Sequence, residues 1–309
     1  MDVYRLFKLM SDRSSHNKRI AKNTLFLYLR MGLVLVVSLF STRVVLQALD
    51  IEDYGINNVV SGFVTMFAFL NTSMSNGVQR FYNFSLGRKN GYSIKDVYNT
   101  ALQIQAILAV TLLVPLETFG MWYIHTQMVI PIDRFAAAQW VFQFSVLSLV
   151  LLVLQIPYSA AIMAYEKMDY YAYLSIFDVL AKLGIAYIIK YTTFDKLILY
   201  GALNMLVSLI CFFLYYGYAK SHFQDLKSDF IIRKQLFKPM LYFSGWNGFG
   251  SFAYMIKSQG LNMLLNVFFG PVVNAARGVS NMAMSAIQGF QSNIVIAFRP
   301  QLIQSYATG

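Results

Sequence analysis

The chain has 309 residues; 57% are hydrophobic and only 13% charged, with 25 Lys and Arg against 14 Asp and Glu. A soluble domain carries about 25% charged residues, so this balance excludes an ordinary soluble globule and points to a polytopic membrane protein. Cys211 is the one cysteine, which excludes an intrachain disulfide; the three histidines are scattered and no metal-ligand spacing occurs, so no metal, cofactor or catalytic residue is expected.

Residues 1–19 are basic and polar, with Arg5, Lys8, Arg13, Lys18 and Arg19. A membrane-length apolar run follows without a small-residue cleavage site, so a cytoplasmic tail and a retained first helix are expected. Eight stretches reach the roughly 20 apolar residues that a spanning helix needs. Helix 1 is predicted over Ile20–Leu49, helix 2 over Ile56–Leu86, helix 3 over Asp96–Ile124 and helix 4 over Arg134–Tyr165. Helix 5 is predicted over Tyr170–Tyr191 and helix 6 over Lys196–Ala219. Helices 7 and 8 form a hairpin over about Phe237–Ala307, split at Gly270-Pro271. Pro115 and Pro157 predict kinks in helices 3 and 4.

Basic residues fall on alternate connections. Fifteen of the 25 lie on the side of the N-terminus, three (Arg134, Lys190, Lys196) on the other side, and seven within helices. The positive-inside rule then places the N-terminus in the cytoplasm. It also accounts for the net charge of +11 without a nucleic-acid partner. The first outer turn, Asp50-Ile51-Glu52-Asp53, is acidic, as that orientation requires.

The basic loop 220–235 is the predicted boundary between a six-helix lobe, 20–219, and a second lobe beginning at 236. Helices 1 and 2 form a hairpin around a short outer turn, and helices 7 and 8 repeat it. Each second helix is rich in Ser, Asn and Gly and closes on a glycine. If helix 7 restarts the pattern, 236–309 holds only the first two helices of a second half. The expectation is therefore a fragment or truncated product lacking about four further helices, by the same symmetry.

Charges inside these helices are the candidate site. Arg30 lies about ten residues into helix 1, and Lys257 about eleven residues from the outer end of helix 7. Arg277 sits about one and a half turns into helix 8. A Lys or Arg at the bilayer centre costs at least about 2.5–3.5 kcal/mol, so these groups should face a wet, cationic cavity that receives an anion. Guanidinium suits phosphate oxygens. Arg43, Arg80, Arg299, Asn281 and Gln288 are secondary candidates; Arg80 and Arg299 equally suit anchors to the anionic leaflet. Asp178 and Lys182, four apart on helix 5, read as an internal ion pair or an ion-coupling site, and Glu117 as a second coupling candidate. Gln139, Gln143, Asn71, Ser75 and Asn76 could bond sugar hydroxyls, although bonds between helices are their commoner use.

Three stretches resemble a known family. LQALDIEDYGINNVV (Leu46–Val60) resembles the outer turn after the first helix of the polysaccharide flippases. These are the Wzx-type lipid-linked oligosaccharide exporters of the multidrug/oligosaccharidyl-lipid/polysaccharide (MOP) superfamily. FLNTSMSNGVQRFYNFSLGRKN (Phe69–Asn90) is similar to their second helix and basic loop, and Asn266–Gly309, with its Ala-Arg-Gly after a Gly-Pro turn, to the start of their second half. The resemblance implies an all-α, MATE-like pair of lobes around a central cavity, in the bacterial inner membrane. It implies alternating-access transport of an undecaprenyl-pyrophosphate-linked oligosaccharide for surface polysaccharide biosynthesis, with cavity cations on the pyrophosphate. Partners would be that substrate, membrane lipids and polysaccharide-assembly proteins. The alternatives are a cation-coupled drug exporter of the same superfamily, which calls for an acidic cavity, and a membrane sugar-transfer or polymerase enzyme. The latter calls for Asp, Glu and His clusters in sizeable loops, which this chain lacks.

Overall fold

The computed structural model describes residues 3–65, 67–87, 92–126, 130–226 and 235–254, and helical positions between 284 and 306, with side chains from Asn23 onward except at 51, 59, 62, 63, 65 and 68. The described residues are α-helical with short connections and contain no strand. Helix α1 runs Val3–Thr65 and is broken once, at Asp50 (φ 62°, ψ 167°). The predicted four-residue turn is thus a single non-helical residue, and the second helix starts directly after it. Helix also extends back to Val3 through the segment expected to be a tail, where Leu, Arg, Lys and Met favour it and no Gly or Pro opposes it.

The second predicted span is interrupted. It stops at Thr65 and resumes as α2, Ala68–Leu86, across a turn in which Phe67 N donates to Val64 O at 3.1 Å. Helix α3, Ile94–Pro115, starts on a capping box: Ser93 Oγ accepts from Asp96 N, and Asp96 Oδ2 accepts from Ser93 N. Pro115 has no N–H to donate, and the chain widens into a π-helical turn, Leu116–Gly120, before α4, Met121–Thr126. Helix α5, Phe135–Ala164, runs through Pro157 without a break. Helix α6 is Met168–Tyr191 and α7 is Lys196–His222. Asp195 caps α7 by accepting from Leu197 N and Ile198 N. Residues 235–254 form α8. Five spans among the described residues are long and apolar enough to cross a membrane: Asn23–Asp50, Ile94–Thr126, Ile132–Ala164, Met168–Tyr191 and Lys196–His222.

Helix α5 is the hub, and its alanines let neighbours approach closely: Ala137, Ala138, Ala160, Ala161 and Ala164 are all buried. One core packs around Tyr82, Tyr98 and Ile162 towards the Leu86 end of the bundle. A second surrounds Val141, Phe142 and Leu197 towards the Asp50 end. A third joins α1 to α6 and α7 through Val45, Leu49, Ala186 and Ile189.

Helix α8 lies along α2. Ser73 Oγ donates to Ser244 O at 2.6 Å. A Cβ at Gly77 would collide with Ser244 Oγ, so that crossing needs glycine. Phe69 meets Phe252, and Phe81 meets Phe243. Nearer the Leu86 end, Arg299 donates to Asn76 Oδ1, Gln301 Nε2 to Glu166 Oε2 at 3.2 Å, and Phe84 packs edge-on to Tyr306. The first lobe, α1–α7, and the described later helical positions are therefore stitched together at this end.

Candidate functional site

Arg30 stands between two hollows. The first, of about 410 Å³, is a cleft between α1 and residues 289–292, lined by Arg30, Met31, Ser38, Thr42, Gly289 and Ser292, with leucine and valine between them. A Cβ at Gly289 would press on Met31 Cε, so a small residue keeps that wall close to α1. The second, of about 550 Å³, lies inside the first lobe among α1, α5, α6 and α7, and Arg30 closes one side of it. The guanidinium sits 4.8 Å from the ring centroid of Tyr171 on α6. Its Nε is buried, and among the described residues it has neither a hydrogen-bond partner nor a carboxylate. A guanidinium held by an aromatic face keeps its forked donors available for phosphate or carboxylate oxygens.

Asp178 and Lys182 line the inner hollow and form the expected ion pair, Nζ to Oδ2 2.8 Å. Hydroxyls fill much of the remaining wall. Ser145, Ser148, Ser175 and Ser208 each donate to a residue four back: to Val141 O, Phe144 O, Tyr171 O and Asn204 O. Asn204 Nδ2 donates likewise to Tyr200 O. Sequence reading missed this lining. Its signal is the spacing of Asn57 and Ser61, of Ser145, Ser148 and Gln155, and of Asn204 and Ser208, which puts each set on one helix face.

The other sequence candidates go elsewhere. Arg43 is exposed on α1 and Gln288 is exposed on the last helix; neither lines either of these two hollows. Arg80 stacks over Phe243 and Phe84, at 4.2 and 5.3 Å, and Arg299 is bound to Asn76. Both serve the seam along α2. Glu117, on the π turn, accepts from Gln143 Nε2 at 2.9 Å, and Gln139 pairs with His125. These glutamines are used between helices. Lys257, Arg277 and Asn281 lie outside the described residues.

The acidic outer turn has a definite use. Asp53 is buried and pairs with Arg134, which also holds Asp195 Oδ2 at 2.7 Å. One arginine thus clamps three connections at the Asp50 end. Burial outweighs the Arg134 charge at Asp53 and pushes its carboxyl above the usual range.

No known family's sequence profile matches the chain, and no curated protein matches it in sequence. Its fold is that of the MATE-type transporters of the MOP superfamily, and the chain is a multi-pass membrane protein. It is similar to an outward-facing multidrug resistance MATE family transporter (TM-score 0.75, 12% identity, over 95% of this chain and 65% of that one). It is also similar to a MOP superfamily transporter from Pyrococcus furiosus, described as having a binding pocket of reverse polarity (TM-score 0.69, 12% identity, 94% and 65%). The Vibrio cholerae MATE transporter VcmN in its bent form matches at TM-score 0.65 and 16% identity, over 96% and 67%. The chain spans just under two thirds of the length of the first two.

Proposed function

We propose that the chain moves an anionic lipid-linked oligosaccharide, of the undecaprenyl-pyrophosphate type, across the bacterial inner membrane by alternating access. The lobes would be 20–219 and the part beginning at 236. The observation that carries this reading is Arg30: a guanidinium on the wall of the cleft, stacked on Tyr171 and without a carboxylate among the described residues. An arginine placed so is an anion site at membrane depth. Lys257 and Arg277 are proposed as further cations of the same cleft, from their sequence positions alone.

A drug exporter would take an organic cation and needs acid in the cleft. The described cleft wall has none, and its one ionisable group is Arg30. Reversed pocket polarity, the description given to the Pyrococcus furiosus transporter, suits cargo of the opposite charge. Replacing Arg30 by Ala at the chromosomal locus should abolish surface polysaccharide and make the lipid-linked precursor accumulate, with Arg30→Lys retaining part of the export. Full export by Arg30→Ala would remove this arginine from the mechanism. Uptake of an organic cation into proteoliposomes would favour the drug exporter instead.

A further inference from the structure

We propose that Asp178 is an exchangeable counterion that sets how firmly Arg30 holds an anion. The inference rests on the anion reading of the cleft, though not on the sugar or the lipid.

Tyr171, Ser175, Asp178 and Lys182 follow one another along one face of α6, at intervals of four, three and four residues. Arg30 sits over Tyr171 at the start of this ladder, and Lys182 stands at its far end. Asp178 lies between the two cations, two turns or about 10 Å along the helix from Tyr171. Arg30, Asp178 and Lys182 all line the same hollow, and Ser175 stands between Tyr171 and Asp178 on that face.

The Asp178–Lys182 pair is within one helix and partly open, with side chains 31% and 46% accessible. Pairs of this kind are weak and easily broken. Arg30 offers the better geometry for a carboxylate, because its two parallel N–H groups match the two oxygens. Two arrangements follow. In the one observed, Asp178 is held by Lys182 and Arg30 is free to take an anion from the cleft. In the other, Asp178 turns to Arg30, Lys182 is released into the hydroxyl-lined hollow, and the anion loses its cation. A carrier must let go as well as bind, and a carboxylate competing for the same guanidinium provides the release. Linkage makes the effect reciprocal: an anion on Arg30 favours the Asp178–Lys182 pair by the same factor.

The test is calorimetric titration of the full chain, in lipid nanodiscs, with inorganic pyrophosphate. Asp178→Asn leaves Arg30 uncontested and should tighten binding about tenfold; Lys182→Met frees Asp178 for Arg30 and should weaken it by a similar factor. Asp178→Asn/Lys182→Met, which leaves no unpaired member of the pair, should bind as tightly as Asp178→Asn and serves if the single variant fails to fold. In an Arg30→Gln background all three differences should vanish, which a merely structural role for Asp178 would not produce. Equal affinities, shifts of the same sign for the two single variants, or shifts that survive without Arg30 would overturn the proposal. So would an Asp178→Asn protein that binds no pyrophosphate. The cargo reading fails separately: if the pyrophosphate pattern holds while Arg30→Ala exports polysaccharide normally, the counterion stands and the oligosaccharide does not.

Discussion

At the scale of single residues, two backbone positions stand out because a side chain occupies a conformation that suits glycine. Asp50, at φ 62° and ψ 167°, breaks α1 in a region that costs a non-glycine residue about 1–3 kcal/mol. Asp50→Gly should therefore raise the thermal midpoint, and Asp50→Val lower it, in unfolding monitored by fluorescence. A midpoint unchanged in both would mean that no strain resides there. Glu166, at φ 58°, closes α5 as its left-handed cap: Lys167 N reaches Ile162 O, and Glu166 N reaches Met163 O. Glycine would fit better, but it could not accept from Gln301. The arrangement exchanges some backbone comfort for a contact between the two parts of the chain.

At the scale of elements, the clamp of Arg134 on Asp53 and Asp195 has a pH signature. A carboxyl whose folded-state pKa is raised binds its proton more readily folded than unfolded. Its contribution to stability is greatest in acid and is lost as pH rises through the folded value. Asp53 therefore tilts the stability profile downward from about pH 4 towards neutrality. Asp53→Asn should flatten that limb in thermal scans between about pH 4 and 7, while Arg134 keeps Asp195. An identical slope in the variant would show that burial of Asp53 is not what sets it.

The elements themselves were largely legible, because their ends are written locally: Ser93 and Asp96 open α3, Asp195 opens α7, and Pro115 announces the widened turn. Arg30 was legible as a charge alone in an apolar run. The clamp was not, since Arg134 finds its acids 81 and 61 residues away and reads in sequence only as an exception to the charge bias. The hydroxyl-lined hollow was hidden for a different reason: Ser148, Ser175 and Ser208 are satisfied by their own helices and need no partner that sequence could suggest.

At the scale of the whole molecule, the proposed alternating access requires the seam between α2 and α8 to open. A Cβ built on Gly248 lies 3.9 Å from Ser73 Cβ, within the usual disulfide range of about 3.5–4.5 Å. The one native thiol, Cys211, is buried and leaves a clean background. Ser73→Cys/Gly248→Cys should export normally when reduced and stop when oxidised, with recovery on adding reductant. Export that continues in the crosslinked protein would mean that this seam stays shut throughout the cycle.

Ser145, Ser148, Ser175 and Ser208, around the inner hollow, have already spent their one proton on their own backbone, so what they show to a visitor is lone pairs. A guest that settles among them must bring its own hydrogens, as water, an ammonium group or a sugar hydroxyl does. A bare phosphate oxygen would meet oxygen at these four serines. The guanidinium then stands between two linings: a cleft wall where it is the one ionisable group among the described residues, and a hollow of lone pairs whose Lys182 is already held by Asp178.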